Sequence, residues 1–291
     1  MKQRNTRDRI DHIHNNSHHP IGEEIFDVFD TFDKQKISNY VIRQVIKHKV
    51  SMLTFGKQGE IYKVPLPYEW WEKYFLVAKK KKDTWDYDLR NEFRLQNQTY
   101  DKVKHPTVKI PELFGYQEMP NGEQFIVMEY VPGQTLYTLL LNKVIAKNKP
   151  ERTPAKDDRE ADSNMLKIFG LETTKHTLWK IEANPYIYRN FKRMKLFTQE
   201  QAKEIKKNLK EFLDNMHKNW IYHRDLWTNI RNIIFCPDGK IYLIDFWKAK
   251  NIEDIKKWDD IYREYTEKGI DEYASDEEIM DIIDTYTEKD T

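Results

Sequence analysis

The chain has a single cysteine, Cys236, in 291 residues, so no disulfide can close within it. That usage suits a reducing compartment, and the expected location is the cytoplasm. Long hydrophobic runs are also missing. The longest apolar patches are of the TLLL and FLVA kind, far short of the roughly 20 residues that a bilayer-spanning helix needs. The opening residues, MKQRNTRDRIDHIHNN, contain no apolar stretch of the sort a secretory signal carries. Charge of one sign is absent too: 49 basic and 48 acidic residues leave a formal net charge of +1. No global field therefore draws the chain to nucleic acid or to an anionic membrane, and neither is expected as a partner. No internal repeat is present. What remains is a chain with 39% apolar residues, enough to bury a core of ordinary size.

Residues 1–36 are polar and histidine-rich, after which Ile37, Val41, Val45 and Ile46 recur at near-helical spacing. His12, His14, His18 and His19 are read as part of a polar tail rather than as metal ligands, and Trp70 and Trp71 as packing residues. From Ser51 to Val131 short apolar runs alternate with turns: SMLTFG, GEIYKVPL, YFLVAKK, IPELFGYQEM and EQFIVMEY, with a helical DYDLRNEFRLQNQTYD in the middle. Asn121-Gly122 lies between the last two runs, where tolerance of positive φ suits a hairpin. The expectation is a five-stranded antiparallel sheet with one helix. After Pro132 the pattern turns helical, in TLYTLLLNKV and again over 198–219. There Ile205, Leu209, Phe212, Leu213 and Met216 form one stripe, Thr198 and Gln201 fit a capping box, and Asn219 is a left-handed stop. Two strands, NIIF and KIYLIDF, follow with CPDG between them. The fold class is α+β, divided into a polar tail and a short preceding helix over 1–50, a sheet-rich lobe over 51–131 and a helical lobe over 132–291 with an insertion at about 142–197.

Chemistry-bearing residues cluster after the long helix. His223, Arg224, Asp225, Asn229 and Asn232 run into the NIIF strand, and the next strand ends at Asp245. Phosphoryl transfer needs one carboxylate to orient an attacking hydroxyl and accept its proton, and hard oxygen ligands for magnesium. Asp225 suits the first task, and Asp245 with an asparagine suits the second.

The strings HRDLWTNIRN and IDFWKAK, in that order, resemble the catalytic and metal-binding core of the protein kinase superfamily. The resemblance continues upstream and covers about residues 51–141 and 198–250. TFGKQGEIYKV resembles the loop over the ATP phosphates, with Gly56 and Gly59 at two of its glycine positions and Thr54 at the first. FLVAKKKK resembles the strand that carries the phosphate-binding lysine. Ala-x-Lys spacing selects Lys80, the preferred candidate, whereas counting from the end of the apolar run selects Lys79. Glu92 matches the helix glutamate that pairs with this lysine. FIVMEYVPGQTL resembles the hinge, with Met128 as gatekeeper and Glu129, Tyr130 and Val131 around the adenine. Ile61, Ala78 and Ile234 complete the implied nucleotide contacts. The resemblance thus implies a two-lobed kinase-like fold that uses ATP and Mg²⁺, with Asp225 and Arg224 at the reacting end and Asp245 with Asn232 or Asn229 on the metal.

Three departures stand out. The asparagine that should follow Asp225 by five residues is Ile230, flanked by Asn229 and Asn232. Asn232 is favoured because it sits directly before the strand. Trp247 replaces the glycine after Asp245-Phe246, restricting the backbone that glycine would free and either fixing the segment or obstructing the cleft. About 45 residues follow, with no APE string, as in compact atypical, bacterial or viral kinase-like proteins. The expected activity is transfer of the ATP γ-phosphoryl group to a protein serine or threonine. The alternatives are a small-molecule or sugar phosphotransferase and a pseudokinase scaffold. The aromatic and basic LWKIEANPYIYRNFKRMKLF is either an acceptor platform or an extra packing element of the helical lobe.

Overall fold

The computed structural model describes residues 31–50, 52–55, 59–67, 75–81, 89–148, 153–156, 160–161, 163–164, 193–226, 229–251 and 275–288. The histidine-rich tail, Trp70, Trp71, Gly56 and most of the insertion lie outside them.

Strands β1 (Met52–Phe55), β2 (Gly59–Pro65), β3 (Phe75–Lys81), β5 (Leu113–Glu118) and β6 (Gln124–Glu129) form an antiparallel sheet in the order β1-β2-β3-β6-β5. This is the expected five-stranded sheet. Gly122 takes φ 83° in the turn between β5 and β6, as its place after Asn121 anticipates. Successive side chains of a strand point to opposite faces, and the two faces of this sheet have different covers. Leu76 and Ala78 of β3 join Val64, Phe114, Phe125 and Val127 on one face, packed under Ile37, Val41, Ile42 and Val45 of helix α1 (Thr31–Ile46). The approach is close: a Cβ on Gly115 would lie 2.8 Å from Ser38 Oγ. The helix expected only to precede the sheet is thus one of its covering layers. Each of its four buried aliphatic side chains contributes on the order of 2 kcal/mol by leaving water. On the other face, Leu113 and Ile126 pack with Leu89 of helix α2 (Leu89–Lys102).

The second part of the molecule is built on α3 (Leu136–Asn148), α4 (Gln199–Lys218) and α5 (Ile279–Thr285). The stripe residues Leu209, Phe212, Leu213 and Met216 of α4 share one core with Leu140, Ile221, Leu226, Ile233 and Phe246. The capping box forms as read, with the Thr198 side chain accepting from Gln201 N–H and the Gln201 side chain accepting from Thr198 N–H. The stop does not. Asn219 has φ −89°, and the left-handed residue is Trp220, at φ 61°. A small sheet, in the order β4-β10-β9-β7, joins β4 (Val108–Lys109), β7 (Gln134–Thr135), β9 (Ile233–Phe235) and β10 (Ile241–Leu243). β9 and β10 are the anticipated hairpin, turned by Gly239 at φ 83°. β8 (Ile221–Tyr222) pairs with β11 (Lys250–Asn251), which brings the segment before Asp225 alongside the segment after Asp245. Among the described residues, no helix is long and apolar enough to cross a membrane.

Candidate active site

β3 presents its lysines alternately. Lys79 leaves the sheet on the α2 side, where its Nζ donates to both carboxylate oxygens of Glu92, at 2.6 and 2.8 Å, and also to Asp245 Oδ1. Lys80, one residue on, faces the α1 side, lies over the Phe125 ring and pairs with Glu123. The preference for Lys80 as the partner of Glu92 is therefore corrected to Lys79. Ala78 is corrected for the same reason: it is fully buried in the core beneath α1, not on the face that carries Lys79. Ile61 stands directly across from Lys79 in the ladder, and Met128 across from Val77, so both share the Lys79 face. Gly59 is the cross-strand neighbour of Lys81, and a Cβ on it would come within 2.9 Å of the Lys80 carbonyl.

Burial pushes the Glu92 carboxyl up to about 7, opposed by the Lys79 ammonium and reinforced by the charge of Asp245. The lysine thus holds together two carboxylates that would otherwise repel.

The second aspartate is reached through the segment after Asp245. Asp245 has left-handed φ 69°, and Phe246–Lys248 forms one turn of 3₁₀ helix. Phe246 is buried with its ring centroid 4.6 Å from that of His223, whose Nε2 hydrogen-bonds the Ile244 carbonyl at 2.9 Å. The same turn points Trp247 and Lys248 at Asp225. Trp247 Nε1 donates to Asp225 Oδ2 at 3.0 Å, and Lys248 Nζ to Oδ1 at 2.6 Å. The hydrogen bond ties the segment after Asp245 to Asp225.

The asparagine question has a local answer. Asn229 Oδ1 accepts from Arg231 N–H at 3.2 Å and caps a 3₁₀ turn over Ile230–Asn232. The turn takes up the extra residues of the loop and delivers Asn232, which is buried, to Asp225. There its Nδ2 donates to the Asp225 carbonyl at 3.0 Å and to Oδ2 at 3.2 Å. Asn229 thus caps the turn, and Asn232 contacts Asp225.

One contributor escaped the sequence. Asp276, 0% exposed, accepts from His223 N–H and Arg224 N–H, each at 2.7 Å, and lies 3.2 Å from His217 Nε2. It clamps Arg224 at φ 65°, a conformation that costs an L-residue about 1 kcal/mol or more. Ser275-Asp276-Glu277-Glu278 is a run of polar residues, and nothing local marks its second residue as the anchor.

At the end of β6, Glu129 lies across from Leu76, so its side chain leaves the Lys79 face. Its carboxylate accepts from Glu112 N–H at 3.2 Å and Tyr242 Oη at 3.3 Å. The Tyr130 ring stacks under Lys63 Nζ, 3.7 Å from the ring centroid. Val131 is buried, and Ile234 comes so near Gly133 that a Cβ there would lie 2.5 Å from its Cγ2. Burial raises the Glu129 carboxyl from 4.5 to about 7. Across that window the native state holds a proton that the unfolded chain has released, so stability falls as pH rises and then levels off. In urea unfolding, the wild type is expected to lose on the order of 2 kcal/mol more than Glu129→Gln between about pH 4.5 and 7. Parallel curves for the two proteins would contradict this.

No protein-family profile matches the chain, and no curated protein matches it. Among solved structures it is similar to the kinase PK-1 of Cydia pomonella granulovirus, at 15% identity over 75% of this chain and 57% of that one, with a TM-score of 0.42. It is also similar to a chain of the CAK complex of Chaetomium thermophilum bound to ATP-γ-S, at 18% identity over 72% and 50% of the two chains, with a TM-score of 0.40. The match therefore spans about half the length of each.

Proposed function

We propose that the chain is an ATP-dependent phosphotransferase whose acceptor is a hydroxyl, with a protein serine or threonine favoured. The observation that carries this reading is a continuous set of contacts. Glu92 holds Lys79, Lys79 holds Asp245, and two residues beyond Asp245 the Trp247 indole holds Asp225, which also holds Asn232. Two aspartates from separate loops and a lysine from the sheet thereby share one locus.

In this reading Lys79 carries phosphate oxygens while Glu92 keeps its ammonium in place, and Ile61, Met128 and Ile234 line the nucleotide cleft with the hinge segment Glu129 to Val131. Asp225 orients the acceptor hydroxyl and takes its proton as the oxygen attacks the γ-phosphorus. The bond to the bridging oxygen breaks, and its electron pair leaves with ADP. Catalysis is mainly positioning and charge stabilisation. The donor set suits magnesium. The Asp245 carboxylate and the Asn232 amide oxygen are hard ligands, the Asn232 Nδ2 being committed to Asp225, and this ion commonly takes one or two protein oxygens plus substrate phosphates. When bound, the ion would neutralise charge on those phosphates.

The test is transfer of labelled γ-phosphate to protein mixtures by the wild type and by Asp225→Asn. The variant is expected to lose at least about 10²-fold. Equal transfer by both proteins would defeat the proposal. Parallel incubation with aminoglycosides, sugars and lipid headgroups separates the acceptor classes.

A further inference from the structure

We propose that Lys248 is a catalytic cation, the group that neutralises charge on the transferring phosphoryl at the acceptor end of the site. The inference rests on the phosphotransferase reading and adds a residue to it that the sequence motifs do not assign.

The argument begins with the two oxygens of Asp225. Oδ2 already accepts from the Trp247 indole at 3.0 Å and from the Asn232 amide at 3.2 Å, both neutral donors fixed in the protein framework. Oδ1 accepts from Lys248 Nζ at 2.6 Å, and in the proposed step it is the oxygen that meets the acceptor hydroxyl. The burial of the pair is uneven: the Asp225 side chain is 3% exposed and that of Lys248 35%. The carboxylate is enclosed, whereas the ammonium that reaches it is partly open to solvent. An ammonium has three donors and no fixed plane, so it can keep one hydrogen bond to Oδ1 and give another to an equatorial phosphoryl oxygen.

Two other cations of this region are engaged elsewhere. Lys79 is committed to Glu92 and Asp245 at the other end of the site, and Arg231 lies over the Tyr137 ring, 3.5 Å from its centroid. Lys248 is placed by the same 3₁₀ turn that sends Trp247 to Asp225, so its stem is positioned by backbone and not by chance packing. In the step itself the hydroxyl oxygen bonds to phosphorus, the leaving oxygen departs with its electron pair on ADP, and the hydroxyl proton goes to Oδ1. Lys248 keeps its proton throughout and offsets the negative charge on the equatorial oxygens, where preorganised charge is most effective.

The experiment compares Lys248→Met and Lys248→Arg with the wild type in the full chain, using single-turnover transfer of labelled γ-phosphate to the protein mixture, Mg·ATP binding by calorimetry and thermal unfolding. Lys248→Met is expected to lower the transfer rate at saturating ATP by about 30-fold or more while Mg·ATP affinity changes less than about threefold. Lys248→Arg should restore a substantial part of the rate. Should the Met variant fail to fold, Lys248→Gln, which retains a donor for Oδ1, takes its place with the same expectation. A Met or Gln variant that transfers at the wild-type rate or faster overturns the role of Lys248, the faster rate marking it as a plug on Asp225. A loss confined to Mg·ATP affinity overturns it as well. A wild type that transfers nothing overturns the phosphotransferase reading and this inference together.

Discussion

Replacing Asp276 with alanine is expected to reduce phosphoryl transfer by at least about 10²-fold and to lower stability by about 2–5 kcal/mol. Its carboxylate is fully buried and accepts the main-chain N–H groups of His223 and Arg224. Without it two donors next to Asp225 lose their acceptor, and the positive φ of Arg224 loses what holds it. The residue touches no reacting atom in the proposed mechanism, so its effect on rate must come through displacement of Asp225. Asp276→Asn, which keeps one oxygen, should recover part of the stability. Measuring both variants by chemical unfolding and by turnover checks the coupling. An alanine variant with wild-type turnover would show that the loop holds its shape without the anchor.

The second large effect separates neighbouring lysines. Lys79→Met should lower transfer by about 10²–10³-fold, because Glu92 and Asp245 would then face each other with their common counter-ion gone. Methionine nearly matches the length of the stem, so the core around it changes little, and the cost to folding comes mostly from the buried, unpaired Glu92. Lys80→Met should remain within about threefold of the wild type, since its partner Glu123 is on the opposite face. Comparing the two variants side by side, with unfolding curves to exclude collapse, gives the result directly. Similar losses at both positions would invalidate the assignment of faces.

That assignment was the point at which sequence reading went wrong, and the reason lies in the sheet. β3 is a central strand, between β2 and β6, with a helix over each face. Leu76, Val77 and Ala78 are therefore all buried, and the alternation that would reveal which way a residue points is erased just before a run of four lysines. Where local chemistry governs, the reading held. Thr198 with Gln201 formed its box, Asn121-Gly122 its turn and CPDG its hairpin. Asn232, which stands directly before its strand, contacts Asp225, whereas Asn229 caps the turn ahead of it. Asp276 and Lys248 were invisible for the opposite reason. Their partners are 53 and 23 residues away, and neither an acidic turn nor a lysine after a tryptophan announces a distant contact.

Helix α1 has a further consequence. Its Lys34 pairs with Glu112, whose carbonyl accepts from Glu129 N–H at 2.8 Å at the end of β6. Shortening the protein to begin at Ser51 would strip the outer wall from Val64, Leu76, Ala78 and Phe125 and leave an oily slab open to water. Such a fragment, though it would retain Lys79, Glu92, Asp225 and Asp245, would clump before it could be assayed.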